Sequence, residues 1–227
     1  VDDPFVWLED VGGQRALEWV RAQNDFTAKT LKSDGDYAEA QADAEAILTA
    51  SDRIPTATLA GGQVYNFWQD RGHVRGVWRR TPLASYEDSE PEWETLLDLD
   101  ALSADQNENW VWKGAQCLAP AYRRCLVKLS RGGRDAFVVR EFDVPSRSFV
   151  RGGFVVAEAK TEIAWVDTNT VLVATNWGPE TLTRSGYPRV VRAWRRGQNV
   201  RDAQTLYQGD ATDVLVSPRT FIDSDGA

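Results

Sequence analysis

The sequence predicts a mainly β chain: an incomplete β-propeller of about three four-stranded blades, preceded by a short α-helical N-terminal arm. Three observations predict it. A unit of four short strand-like runs recurs with starts at residues 56, 109 and 162, a constant spacing of 53 (109 − 56 and 162 − 109). The third runs of the first and last units share a signature, Gly76-Val77-Trp78-Arg79-Arg80-Thr81 and Arg192-Ala193-Trp194-Arg195-Arg196-Gly197. The first fifty residues, by contrast, carry helical periodicity. A four-strand repeat of about 40–50 residues is the mark of propeller blades; a β-sandwich needs no constant period.

The arm is assigned to residues 1–50. Asp3-Pro4-Phe5-Val6-Trp7-Leu8-Glu9-Asp10 reads as an extended, aromatic opening. From Gln14 to about Leu31, Leu17, Val20, Asn24, Ala28 and Leu31 fall at three- and four-residue steps, which predicts a helix. Asp34-Gly35-Asp36 breaks it and can cap the next. Asp36 to about Ala50 predicts a second helix, with Tyr37, Ala40, Ala44, Ile47 and Leu48 as its apolar stripe.

Residues 51–227 are assigned to the partial propeller, with the change to β structure placed at Pro55. Runs 56–59, 64–69, 74–79 and 93–99 form the first unit, and the polar, acidic stretch 81–92 is a surface loop. The second unit is 110–113 with a continuation to 118, then 125–129, 136–142 and 149–156. Connections rich in Gly, Pro, Asp and Ser separate these runs, which predicts antiparallel neighbours. The third unit is 163–166, 171–176, 189–194 and 205–207, and a fourth is expected to start at 213–216. Propellers close with about 4–8 blades. Three units and a fragment therefore predict a piece of a longer ring, or a ring shared among copies, with self-association through the open edge as a consequence.

Composition excludes several function classes. The 26 basic and 34 acidic side chains leave a net charge of −8, which argues against a nucleic-acid surface. No run of about 18 apolar residues is present, so no membrane span is expected. The chain contains no Met, and a start after processing is expected. The compartment is read as cytoplasmic first and periplasmic second.

Cys117 and Cys125 are the only cysteines and His73 the only histidine. Tetrahedral zinc needs four ligands, so no metal and no cofactor are expected. The two cysteines flank a short loop; they are either two small buried thiols or a cross-strand disulfide. His73 reads as an exposed turn residue. Trp68, Trp78, Trp110, Trp112, Trp165 and Trp194 lie on strands, where they fill space between blades; a sugar-stacking platform is the alternative. The Arg79-Arg80 and Arg195-Arg196 pairs read as solvated blade ends.

Two stretches carry a family resemblance. The opening residues 3–10, followed by Ala16-Leu17-Glu18-Trp19-Val20-Arg21-Ala22-Gln23-Asn24, resemble the amino-terminal opening of prolyl oligopeptidase-family serine peptidases. Residues 174–189, from Ala174-Thr175-Asn176-Trp177-Gly178-Pro179 to Ser185-Gly186-Tyr187-Pro188-Arg189, resemble the third-blade region of a bacterial branch of that family. The resemblance implies an arm that packs on a carboxy-terminal α/β-hydrolase domain of the same parent chain. It also implies a propeller that gates access of short proline-containing peptides to a Ser-Asp-His triad. No Gly-x-Ser-x-Gly elbow occurs in this sequence. The chain by itself is therefore expected to be inactive, with no catalytic residue of its own. The long excursion 177–187 is the best functional stretch, since long loops on rigid scaffolds tend to carry function. Asn176, Trp177, Arg184 and Tyr187 are the candidates for the peptide entrance or the domain interface. A free-standing module that binds glycans or peptides is the alternative function.

Overall fold

The computed structural model describes residues 3–50, 52–54 and 56–221. The position assigned to the helix-to-strand change, Pro55, lies outside the described residues. The chain divides into two compact units, 1–53 and 54–227.

The first unit is helical. A 3₁₀ turn, Val6–Glu9, leads into α1 (Gln14–Lys32), followed by α2 (Tyr37–Leu48). Trp7 is the hub of the opening: its indole donates to the Pro4 carbonyl, Trp19 meets its ring edge-on at 6.1 Å, and Arg15 lies over it at 4.2 Å. Asp36 stands at the N-cap of α2 but makes no side-chain cap bond; Asp34 instead accepts from the Asp36 N–H. Both apolar stripes exist at the expected spacing, yet they face outward. Leu17, Val20, Leu31, Ile47 and Leu48 are exposed, and Ala16 is the one buried residue of α1.

The second unit holds three antiparallel sheets, each built from strands consecutive in sequence. β1 (Thr58–Ala60), β2 (Gln63–Trp68), β3 (Val77–Pro82) and β4 (Glu94–Asp98) form the first. β5 (Trp110–Cys117), β6 (Arg124–Arg131), β7 (Phe137–Asp143), β8 (Ser148–Phe149) and β9 (Val155–Ala159) form the second. β10 (Glu162–Asp167), β11 (Thr170–Ala174), β12 (Val190–Arg195) and β13 (Gln204–Gln208) form the third. Two helices sit beside the first sheet: α3 (Leu83–Tyr86) and α4 (Leu99–Gln106). The result is a mainly β unit of three sheets with accessory helices, consistent with a β-propeller domain.

The middle sheet is covered on both faces, and its sequence shows why. Along β6, Cys125, Val127 and Leu129 enter one core, while Leu126 enters another. Successive side chains of a strand point to opposite faces, so β6 feeds both. The first core joins sheets one and two through Tyr65, Trp78, Leu97, Trp110 and Phe142. The second joins sheets two and three through Phe154, Trp165, Val171, Val173 and Trp194. Trp78, Trp110, Trp165 and Trp194 are buried fillers of these seams, as the sequence suggested, and Trp112 packs partly buried against the first, whereas Trp68 belongs to neither core.

Several expectations are corrected. The run 149–156 is not one strand. Glu141 takes part in backbone bonds with both Val150 and Phe154, so the chain bulges between them and divides into β8 and β9. A Cβ on Gly153 would stand 2.7 Å from the Glu141 carboxylate, so the bulge needs glycine there. Residues 213–216 form no strand: the Asp213 carboxylate closes a turn by accepting from the Asp210 N–H, and Val216 donates to Pro188 instead of starting a sheet. The 81–92 loop opens with the end of β3 and α3. Residues 99–106 form α4, with Asp98 accepting from the Ala101 N–H as its cap.

Of the two arginine pairs, Arg195 is exposed, as expected of a solvated blade end, while Arg79, Arg80 and Arg196 are engaged. Arg79 lies over both Trp68 and Trp93, at 4.6 and 4.2 Å, and Arg80 pairs with Glu94 at 2.7 Å. Arg196 reaches across to Glu141 of the second sheet. His73 does lie in a turn, half-buried, 3.0 Å from Asp70.

Cys117 and Cys125 stand opposite each other on β5 and β6 and are joined as a disulfide. The buried-thiol reading is therefore replaced by the bonded one. The closed loop is short, with a sequence separation of 8. Chain entropy for a loop of this size gives a stabilisation of roughly 2–3 kcal/mol. Replacing both cysteines by serine is expected to lower the urea midpoint accordingly; equal midpoints would contradict the assignment.

Candidate functional site

The excursion between β11 and β12 is a built structure. It begins with Asn176, whose side-chain oxygen accepts from the Gly178 N–H at 3.0 Å. The 3₁₀ turn Pro179–Thr181 follows, with Trp177 N–H donating to the Thr181 hydroxyl. A tight loop is then pinned at Thr183, whose N–H donates to the Tyr187 carbonyl at 2.8 Å. This loop rests on the segment after β13: Arg184 N–H donates to the Ala211 carbonyl, and Ser185 donates to that of Val214. The loop end is fixed by Arg189, which donates to the Gly209 and Glu180 carbonyls.

The four candidate residues fall into two sets of contacts. Tyr187 belongs to the first. Its hydroxyl donates to Asp135 at 3.0 Å, and Lys160 sits 3.5 Å from the same carboxylate and 4.0 Å over the Tyr187 ring. Asp135 comes from the turn between β6 and β7, and Lys160 follows β9, so the cluster ties sheet two to the loop of sheet three. The Tyr187 hydroxyl first, then the Lys160 ammonium, holds the Asp135 carboxyl below the ordinary carboxylate value.

A depressed carboxyl contributes stability that is complete above its unfolded value and is lost as pH falls through its folded value. Replacing Tyr187 with Phe is expected to move the Asp135 midpoint up toward the ordinary one. Carboxyl NMR across about pH 2 to 6 reads it; an unmoved midpoint would show that the hydroxyl is not the cause.

Arg184 is exposed and lies on the same loop. The Asp210 carboxyl nearby is held below its ordinary value, mainly by the N–H and hydroxyl of Thr212 and more weakly by Arg189 and Arg184.

Trp177 and Asn176 form the second set. Trp177 is half-buried against the second core, with the Arg192 guanidinium 4.5 Å over its ring. Both residues line a groove of about 600 Å³ that β9 walls on the other side. A second cavity, of about 540 Å³, opens between sheets one and two beside Tyr65, Phe67 and Trp112.

Sequence reasoning missed Asp135, Lys160 and Arg192, as well as Glu158 of β9, which lines the groove. Asp135 ends the Ser-Arg-Gly-Gly-Arg-Asp turn and Arg192 opens the Arg-Ala-Trp-Arg signature. Both stretches drew notice, but as turn and strand chemistry. Nothing in the linear sequence places Asp135 beside a tyrosine 52 positions away.

Comparison with known proteins agrees with this geometry. A family model described as the prolyl oligopeptidase N-terminal β-propeller domain matches residues 1–226. The uncharacterized peptidase y4nA of Sinorhizobium fredii (strain NBRC 101917 / NGR234) is 44% identical over 225 residues, covering 99% of this chain and 31% of that protein. The uncharacterized peptidase RP174 of Rickettsia prowazekii (strain Madrid E) is 30% identical over 219 residues, covering 93% of this chain and 30% of its own length. Among solved structures, a post-proline cleaving enzyme from Rickettsia typhi superposes with a TM-score of 0.86 at 30% identity, covering 93% of this chain and 32% of that enzyme. The chain thus spans about a third of the length of these relatives, whose names are those of peptidases. Sheet topology, the two seams and the match over nearly the whole chain lead to one conclusion: this chain belongs to the N-terminal β-propeller domain family of prolyl oligopeptidases.

Proposed function

We propose that this chain is the arm and the first three blades of the propeller of a serine endopeptidase, and that it gates peptide access to a separate α/β-hydrolase domain cleaving after proline. The observation that carries this reading is the family match over residues 1–226 at about a third of the relatives' length. Two further features support it. The sequence contains no Gly-x-Ser-x-Gly elbow, so a nucleophile of that kind has to come from elsewhere. The exposed stripe of α1, with Leu17, Val20 and Leu31, suits an arm that buries this face on a hydrolase domain.

In this reading Asn176, Trp177, Arg184 and Tyr187 line the peptide entrance or the domain interface. The Tyr187–Asp135–Lys160 cluster fixes the loop, and Arg184 projects a positive charge from it. In the longer protein, Arg184→Ala is expected to change kcat/KM several-fold between a short blocked Gly-Pro reporter and a longer acidic peptide. An exposed charge acts on steering and on register more than on chemistry. Turnover and preference both unchanged would remove Arg184 from the entrance.

A further inference from the structure

We propose that the groove between β9 and the third sheet binds an extended peptide, which docks on the free edge of β9 through its backbone amides. The site lies apart from the Tyr187–Asp135–Lys160 contacts; it shares Asn176 and Trp177 with the proposed entrance, but its test reads binding alone.

The groove is lined by β9 itself, by Thr175, Asn176 and Trp177 after β11, by Arg192 of β12, and by Val200 and Arg201. Three of these residues carry a buried polar atom with no hydrogen-bond partner: Glu158 Oε1, Trp177 Nε1 and Arg192 Nε. Buried polar atoms in folded proteins are nearly always paired, so three orphans around one groove call for an explanation. The other carboxylate oxygen of Glu158 is held by Arg131, which fixes the side chain at the groove wall. Each orphan is shielded by its neighbours, so engaging them takes a small shift of the Arg192–Trp177 stack.

Two N–H donors and one carboxylate acceptor are the complement of an amide, such as the carboxamide of a Gln side chain that an added strand turns toward this face. The strand beside them offers the same chemistry. β9 pairs only with β7 among the described strands, so its outer edge presents unpaired backbone groups, the template for an added strand. Val155 and Ala157 on this strand are exposed and give alternate side chains of an added strand an apolar rest. The groove suits other ligands less well. Arg192 lies over the Trp177 ring and the ring packs against the second core, so no open aromatic platform is left for a sugar ring, and the Glu158 carboxylate disfavours an anion.

The test uses the whole chain and the blocked hexapeptide Ac-Thr-Gln-Thr-Gln-Thr-Gln-NH₂ at millimolar concentration, followed by hydrogen exchange and by anisotropy of a labelled copy. Slower exchange at residues 155–159 and 175–177 is expected. Trp177→Phe keeps an aromatic ring, though a smaller one, and removes the Nε1–H, and it should weaken the peptide Kd roughly three- to tenfold. Unchanged exchange along β9 overturns the proposal, and so does an unchanged Kd in Trp177→Phe. Protection of the same residues by maltohexaose but not by the peptide also overturns it and makes the groove a glycan site. The exchange measurement needs no variant, and none of these readouts needs catalysis, so the result stands apart from the gating proposal.

Discussion

Glu141→Ala is expected to cost about 3–5 kcal/mol of stability, the range for breaking a buried ion pair by removing one partner. The Glu141 side chain is fully buried. Its two oxygens accept a fork from Arg196 at 2.8 and 3.0 Å, and one of them also accepts the Phe154 N–H at 2.9 Å. Arg124 adds a longer contact at 3.7 Å. The bidentate geometry is the strong form of such a bond. Arg196 comes from the turn after β12, so this one carboxylate clamps sheet two to sheet three and also shapes the β8–β9 bulge. Alanine would leave the guanidinium facing a cavity and the Phe154 N–H unpaired. Replacing Glu141 and Arg196 together by Leu and Met should recover the ion-pair part of the loss, because no charge of the pair is then left uncompensated, while the Phe154 N–H stays unpaired. Urea midpoints of Glu141→Leu, Arg196→Met and the double variant form the cycle that checks this. A Glu141→Ala loss below about 1 kcal/mol would mean that the pair is no clamp.

Trp78→Ala tests the other seam and should cost about 3–5 kcal/mol, as large-to-small changes of buried Trp and Phe do. Trp78 is 4% exposed and touches rings on both sides of the seam. Tyr65 stacks on it from its own sheet at 5.9 Å; Trp112 and Phe142 meet it from the second sheet at 5.4 and 5.6 Å. Removing it strips contacts from three aromatic partners at once and leaves a cavity that stiff rings cannot fill by sliding. Trp68→Ala is the control. Trp68 lies on the same sheet but is half-buried under Arg79, and its loss should be much smaller. Equal effects of the two changes would contradict the placement of Trp78 in the seam.

These two residues also show what could be read from the chain alone. Trp78 was legible, because a large aromatic at alternating positions on a β-rich run has to be buried against something. The same alternation placed most of β2, β6, β7, β11 and β12 within a few residues. The Glu141–Arg196 clamp was not legible. A glutamate in mid-strand reads as solvent-facing, and its partner lies 55 residues on, beyond any local pattern. The clamp then explains the split of β8 from β9, since a carboxylate accepting the Phe154 N–H competes with a continuous ladder. Helix α4 could have been found from Asp98 at its cap and the left-handed Asn107 at its end; its weak amphipathic pattern hid it. The absence of a strand at 213–216 has a similar cause. Val214 and Val216 look like strand residues, but Asp210 and Asp213 turn the chain before them. At the candidate site, the loop 177–187 was visible from its length and its Gly and Pro residues. Its partners Asp135 and Lys160 depended on the stacking of one sheet on the next.

We have proposed that the chain supplies a scaffold and an entrance while the bond-breaking groups lie in another part of a longer peptidase. Incubating the 227-residue chain with a blocked Gly-Pro reporter and a serine-reactive fluorophosphonate tests it most directly. The account predicts no release of the reporter group above buffer and no labelled serine. Steady turnover together with a phosphonylated serine among these residues would contradict it.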